Sequence, residues 1–537
     1  MPILTRHALG AAAKRMAAVC AVTAVVNGCQ SPEPLSISDD ALVFATVDEL
    51  REQLETGALT SEALVIALLA RIDAIDDSGP TLNAVIDTNP DALSAAITLD
   101  QERQRGAVRG PLHGIPVLLK ANIDTADRMA TSAGSLALAD HIASDDARLV
   151  ADLRAAGLII LGKTNLSEWA NFRSSNSVSG WSSVGGLTRN PYVLDRNACG
   201  SSSGSAAAVA AGLAPLAIGT ETDGSIVCPA SITGIVGIKP TLGLISRDGI
   251  IPIAISQDTA GPMARTVRGA AALLSAAAAE DPSDPAAAGH PGEVDYVAEL
   301  ATVEIMGRRI GVWRGYFGHG RYPAVDELLS DVSAALKQRG AVLVDPANVD
   351  IPEDSGDAEY EVLLIEFRDG LNRYLADTNL PAERRTLDAL IAWNEQQSDT
   401  AMPWFDQDIF EAAATAAAVD SPVHAQALAA SRGAMRAALQ VLFDTEKLDA
   451  LIMPSNGPAW PLDVIGGDRF GVGSSSLAAV SGWPNVTVPA GDVSGLPLGI
   501  SIVGVPYSEA LLLGIARQIE RAHGGFRQPE FLPSLEP

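Results

Sequence analysis

Lysine is scarce in this chain of 537 residues: Lys14, Lys120, Lys163, Lys239, Lys337 and Lys447 are all there is, and arginine supplies the rest of the 37 basic side chains. Aromatics make up only 4%. Four cysteines are too few for a disulfide framework, and no C-x-x-C or histidine cluster offers a metal ligand set, so no metal and no cofactor is expected. Basic charge is outweighed by 65 acidic residues, for a formal net charge of −28. Phosphate binding is driven by Lys/Arg neutralisation, so a nucleic-acid partner is excluded, and an anionic membrane surface with it. No run is long enough to span a bilayer. What the chain does have is an apolar fraction of 47%, enough for a large core, which rules out collagen and disorder.

Residues 1–28 hold Arg6, Lys14 and Arg15 and no acid, then the apolar run from Met16 to Val26. A basic n-region followed by a short apolar h-region reads as a secretory signal. Val26-Asn-Gly-Cys29 resembles a bacterial lipoprotein cleavage box, which makes Cys29 a lipidation candidate, and residues 29–44 a linker. The expected location is exported and periplasmic, with membrane contact only through such an anchor. Cys199 and Cys228 remain for the body, whose fold need not depend on a disulfide.

The body from 45 to 537 alternates helical and strand patterns. Thr46-x-x-Glu49 is a capping box, and 61–75 and 91–105 carry apolar residues at helical spacing. Strands are expected at 114–119, 158–161, 341–344 and 498–503, and helices at 147–156, 206–213, 325–339 and 508–521. This is an α/β pattern in one large domain, with a loop at 280–292 and a helical, least sheet-like region at about 353–442.

Three places carry chemistry. Cys199-Gly-Ser-Ser-Ser-Gly-Ser205 opens an alanine-rich helix and offers hydroxyls and free N–H groups. A phosphate loop lacks its Gly-Lys-[Ser/Thr]. Gly200-Ser-Ser-Ser-Gly204 fits Gly-x-Ser-x-Gly with Ser202 as nucleophile, but no strand precedes it. Gly219-Thr-Glu-Thr-Asp-Gly-Ser225 ends an apolar run in a turn. If Ser225 attacks a carbonyl, the amides of Thr222, Asp223, Gly224 and Ser225 are candidates for the oxyanion hole. Lys120 ends an apolar strand, where burial would leave a neutral amine able to act as a base, although Lys163 and Lys239 are placed similarly. Residue physics alone does not choose among the three.

Gly114-Ile-Pro-Val-Leu-Leu-Lys120, Gly162-Lys-Thr-Asn-Leu-Ser-Glu-Trp169, the Gly/Ser loop and Gly219-Thr-Glu-Thr-Asp-Gly-Ser-Ile226 together resemble the amidase signature family, in its order. Gly234 to Pro240, Asp258 to Met263 and Gly495 to Gly499 extend the likeness. The resemblance implies a mixed β-sheet between helical layers and a Ser-cisSer-Lys triad. Ser225 would be the nucleophile, Ser201 the serine after a cis bond and Lys120 the base, releasing ammonia through an acyl-enzyme. The chain departs from many relatives in having Asp223-Gly-Ser-Ile-Val227 for Gly-Gly-Ser-Ile-Arg and Lys120-Ala121 for Lys-Asp. With Cys199, Cys228, Trp169 to Arg173 and Glu366 to Asn372, it is most similar to bacterial peptide amidases, exported enzymes that act on the C-terminal amides of peptides. The substrate so implied is a small-molecule or peptide amide. The rivals are an amidase for small aryl or aliphatic amides and a non-catalytic solute-binding lipoprotein.

Overall fold

Continuous apolar stretches such as Pro116-Val-Leu-Leu-Lys120 belong to strands buried on both faces, and the centre of the molecule is built from them. The structure, a computed structural model, describes residues 40–535. The signal-like segment and Cys29 lie outside the described residues. The strands are β1 Val85–Thr88, β2 Pro116–Lys120, β3 Ile159–Thr164, β4 Trp181–Ser182, β5 Gly186–Leu187, β6 Leu216–Glu221, β7 Val236–Lys239, β8 Thr259–Ala264, β9 Arg309–Val312, β10 Val342–Val344, β11 Ala450–Pro454, β12 Asn485–Val493 and β13 Leu496–Val503. Eleven of them form one sheet in the order β1-β3-β2-β6-β8-β7-β12-β13-β11-β9-β10, while β4 and β5 pair separately. The large sheet is mixed: β2 runs parallel to both β3 and β6, whereas β6–β8 and β12–β13 are antiparallel. Helices flank it in a single large α/β domain, with Ser203–Ala210 buried along its whole length.

Local chemistry fixes the element ends. The Thr46 hydroxyl accepts the Glu49 amide, and the Glu49 carboxylate accepts the Thr46 amide in return, which caps the helix Val47–Thr56. The strand expected from 114 begins only at 116, because Gly114 sits at φ +85° and any Cβ there would lie 2.2 Å from Ser61 Oγ. Within the segment expected as linker, Leu42 and Val43 pack into the main core from the short helix Asp40–Val43.

The region around 353–442 is helical, with Ser355–Ala376, Leu387–Gln396, Asp408–Thr415, Pro422–Leu428 and Ala434–Glu446 as its main segments. It has its own core, in which Phe367 and Phe410 are fully buried together with Leu371 and Leu390. Each such side chain contributes about 1.5–3 kcal/mol. Trp169, Phe172, Ile251 and Ile253 belong to the same cluster, so this helical layer rests on the loops that border the Gly/Ser loop and the Ser225 turn.

Candidate active site

Lys120 is the last residue of β2, completely buried, with β3 on one side and β6 on the other. Its Nζ donates to Ser201 Oγ at 2.7 Å, to Thr220 Oγ1 at 2.8 Å and to the Thr220 carbonyl at 3.2 Å. Three acceptors match the three protons of an ammonium. When the amine is neutral, one contact must reverse, and only a hydroxyl can supply a proton to the nitrogen lone pair. Burial brings the Lys120 pKa down to about 7, against the opposing charges of Asp258 and Glu221. Both protonation states are therefore within reach near neutrality.

Ser201 follows a cis peptide bond, Gly200–Ser201. Its carbonyl accepts the Ser167 amide at 3.1 Å, and a Cβ on Gly200 would lie 2.1 Å from Ser167 Oγ, so only glycine fits there. Ser202 is fully buried and used structurally. Its hydroxyl donates to the Thr220 carbonyl at 3.0 Å and accepts the Thr220 amide at 3.2 Å, which stitches the loop to β6. Among the described residues no histidine hydrogen-bonds Ser201, Ser202 or Ser225, so the Gly-x-Ser-x-Gly alternative has no imidazole to use.

Ser225 ends the turn that follows β6 and is 8% exposed. Its carbonyl accepts the Ser202 amide at 3.1 Å, which joins this turn to the Gly/Ser loop. Glu221 Oε2 accepts the amides of Ile226 at 2.7 Å and Val227 at 3.0 Å. The amides of Thr222, Asp223, Gly224 and Ser225 have no acceptor among the described residues, so this one turn carries four free donors. Gly224 lies at φ +78°, facing Ser475. The turn is braced from outside by Thr222 Oγ1 donating to Asp258 Oδ1 at 2.5 Å and Ser476 Oγ donating to Asp223 Oδ2 at 2.6 Å. Asp258 also accepts the amides of Ile253 and Ala254, and burial raises its pKa to about 6. A disulfide joins Cys199, just before Gly200–Ser201, to Cys228, just after Ser225.

Two cavities adjoin this centre. One of about 290 Å³ contains Ser225, Gly224, Asp223 and the disulfide, with Trp460, Asp468, Phe470 and Asn456 in its wall. The larger, about 500 Å³, touches Thr220, Glu221, Thr222 and Asp258 but not Ser225. The loop 168–173 lines both through Ala170 and is fixed by the buried pair Arg173 Nε–Glu168 Oε1 at 3.0 Å. Glu366 Oε2 accepts the Ser256 amide, and its Oε1 meets His424 Nε2 at 2.9 Å, tying two helices of the helical region to the loop before Asp258.

Sequence reasoning missed Thr220, Asn122, Glu221 and Asp258. Asn122 Nδ2 donates to Thr220 Oγ1, the same oxygen that accepts a hydrogen bond from Lys120 Nζ. The available signal was alternation: Lys120 and Asn122 are two apart at the end of β2, and Thr220 sits near the end of the parallel neighbour β6.

A fold with parallel strands delivering a buried lysine to a cis-bonded serine defines a class of amide hydrolases. The family model described as Amidase matches residues 63–513, and the chain belongs to that family as an amidase-signature hydrolase. It is 38% identical to a probable amidase of Arabidopsis thaliana over 504 residues, 91% of this chain and 92% of that one. Among solved structures it is similar to the native peptide amidase from Stenotrophomonas maltophilia, with 46% identity, a TM-score of 0.84 and coverage of 93% and 100%. A peptide amidase solved with the competitive inhibitor chymostatin gives 47%, 0.86, and coverage of 90% and 99%.

Proposed function

We propose that the chain hydrolyses the C-terminal amides of peptides, with Ser225 as nucleophile, Ser201 as proton relay and Lys120 as base. The observation that carries this reading is the 2.7 Å contact of the buried, pKa-depressed Lys120 with Ser201, on a loop hydrogen-bonded to the Ser225 turn. Neutral Lys120 accepts the Ser201 proton while Ser201 takes that of Ser225, and Ser225 Oγ bonds to the amide carbon. The oxyanion is held by the amides of the 222–225 turn, each donor contributing about 3–4 kcal/mol. Collapse breaks the C–N bond as Ser201 returns a proton to the nitrogen, releasing ammonia. Water then adds to the acyl-Ser225 ester by the same relay and liberates the acid.

Charge supports an amide over a free acid as substrate. Among the described residues lining the Ser225 cavity, Asp223 and Asp468 are acidic and none is lysine or arginine, so nothing there greets a terminal carboxylate. The helical region at about 353–442 walls this site through the loops it packs against. The basic and apolar character of residues 1–28 supports export to the periplasm, with Cys29 as the anchor point. Incubation with a peptide amide should release ammonia and leave an acyl adduct detectable by mass on Ser225, absent in Ser225→Ala. Turnover persisting in that variant would overturn the assignment, and release from small aryl or aliphatic amides alone would select the rival substrate class.

A further inference from the structure

The Ser225 cavity opens past a wall whose composition is unusual for this aromatic-poor chain. Phe470 and Trp460 both line it, with ring centroids 6.0 Å apart in an edge-to-face arrangement. Phe317 stacks on Phe470 at 6.2 Å with only 6° between the ring planes. Both phenylalanines are exposed, Phe317 by 60% and Phe470 by 43%, although each ring would be better hidden from water. Neither is loose. Phe317 exchanges two backbone hydrogen bonds with Gly473, and Trp460 Nε1 donates to Asp468, whose other oxygen accepts the Ser179 amide. Phe317 and Phe470 thus keep large apolar area in water beside the nearly buried Trp460.

A second observation falls on the same wall. Asn456 is 3% exposed and lines the cavity; its Nδ2 donates to the Val472 carbonyl at 3.3 Å, but its Oδ1 has no donor among the described residues. A buried acceptor left without a partner is costly, and it is satisfied if a ligand brings an N–H to it. A ligand that brings an N–H and an apolar group to one wall of the cavity that contains Ser225 matches the chemistry of a peptide main chain and its neighbouring side chain.

We propose that Phe317, Phe470 and Trp460 form a subsite for the residue preceding the amidated one, selecting aromatic or large apolar side chains there, and that Asn456 Oδ1 accepts a main-chain N–H of the acyl part. This rests on the peptide-amide reading and makes it specific: the preferred substrate is at least a dipeptide amide, held by its upstream residue.

The test uses the whole enzyme and ammonia release from acetyl-Leu-amide, acetyl-Gly-Leu-amide and acetyl-Phe-Leu-amide. Wild type should prefer the Phe over the Gly substrate in kcat/KM by about tenfold, the scale of a stacked aromatic contact. Phe317→Ala and Phe470→Ala should each shrink that ratio towards one. N-methylation of the upstream main-chain nitrogens, one at a time, should find a single position that weakens turnover in wild type and has no further effect in Asn456→Ala. The methylation scan on wild type stands even if the buried Asn456 variant folds poorly. Equal kcat/KM for the Gly and Phe substrates, or a Phe preference intact in both ring variants, would overturn the subsite while leaving peptide-amide hydrolysis standing. Inert peptide amides beside active small amides would sink that underlying reading and the subsite with it.

Discussion

Lys120, Lys163 and Lys239 make an instructive set, because all three are completely buried at or near the ends of strands of the one large sheet, β2, β3 and β7. Burial depresses each: Lys120 to about 7, Lys163 and Lys239 to about 8. Their partners differ. Lys163 donates to the Ile123 carbonyl and to Thr131 Oγ1 under the charges of Asp124 and Asp127. Lys239 donates to the carbonyls of Pro240 and Trp483, and the charges of Glu221 and Glu509 hold it. Lys120 donates to a hydroxyl, Ser201, on the loop that meets the Ser225 turn. Burial and a hydroxyl partner are therefore not enough to tell the three apart, since Lys163 has both; what is particular to Lys120 is that its hydroxyl, Ser201, lies on the loop hydrogen-bonded to the Ser225 turn.

The largest effect that sharpens this contrast is expected from Lys120→Met. Its kcat/KM should fall about a thousandfold or more. The proposed base role requires Lys120 unprotonated, so activity should rise as pH climbs through about 7, and this acid limb should vanish in the variant. The same shift has a stability consequence. The folded pKa of about 7 lies below the ordinary 10.5, so between these values the unfolded chain binds a proton that the native one does not. Wild-type stability attributable to this group should rise with pH across that window, and the methionine variant should lack that rise. Urea midpoints over the pH range read it directly.

Next in size, Lys239→Met strips Glu221 and Glu509 of their shared cation and should cost about 3–5 kcal/mol in denaturant unfolding. Whatever activity survives should keep its acid limb at about 7. A limb that disappears here, or in Lys163→Met, would move the base to that residue. The smallest effect is expected from Thr220→Val, which removes one acceptor of Lys120. Loss of an acceptor penalises the ammonium more than the amine, so the acid limb should move to lower pH, with kcat reduced about tenfold. A shift to higher pH would mean that Thr220 Oγ1 acts as donor to the amine.

Much of this was legible in the sequence because it was local. The runs at β2, β3, β10 and β13 and the helix after Thr46 declare themselves by apolar pattern or capping residues, while the helix expected at 206–213 runs over Ser203–Ala210, without a side-chain cap. The strand Thr-Ala-Gly-Pro-Met-Ala of β8 does not, since it contains glycine and proline and is formed by pairing with β6 and β7. β1, with an aspartate at its centre, is likewise a tertiary product on an edge. In the site, the serines and the lysine stood out by residue type and motif order. Thr220, Asn122 and Asp258 did not, because a threonine or asparagine becomes informative only when the sheet sets it beside something charged. Pairing of Cys199 with Cys228 was undetermined by spacing and is fixed by the meeting of two loops.

That link joins cysteines 29 apart in sequence, and the hydroxyls of Ser201 and Ser225 both ride inside the ring it closes. A thiol added to keep a preparation reduced would thus reach the enzyme's chemistry without touching any of its reacting groups, by cutting the hoop that keeps them together. Activity measured with and without such an additive would compare two differently tethered molecules.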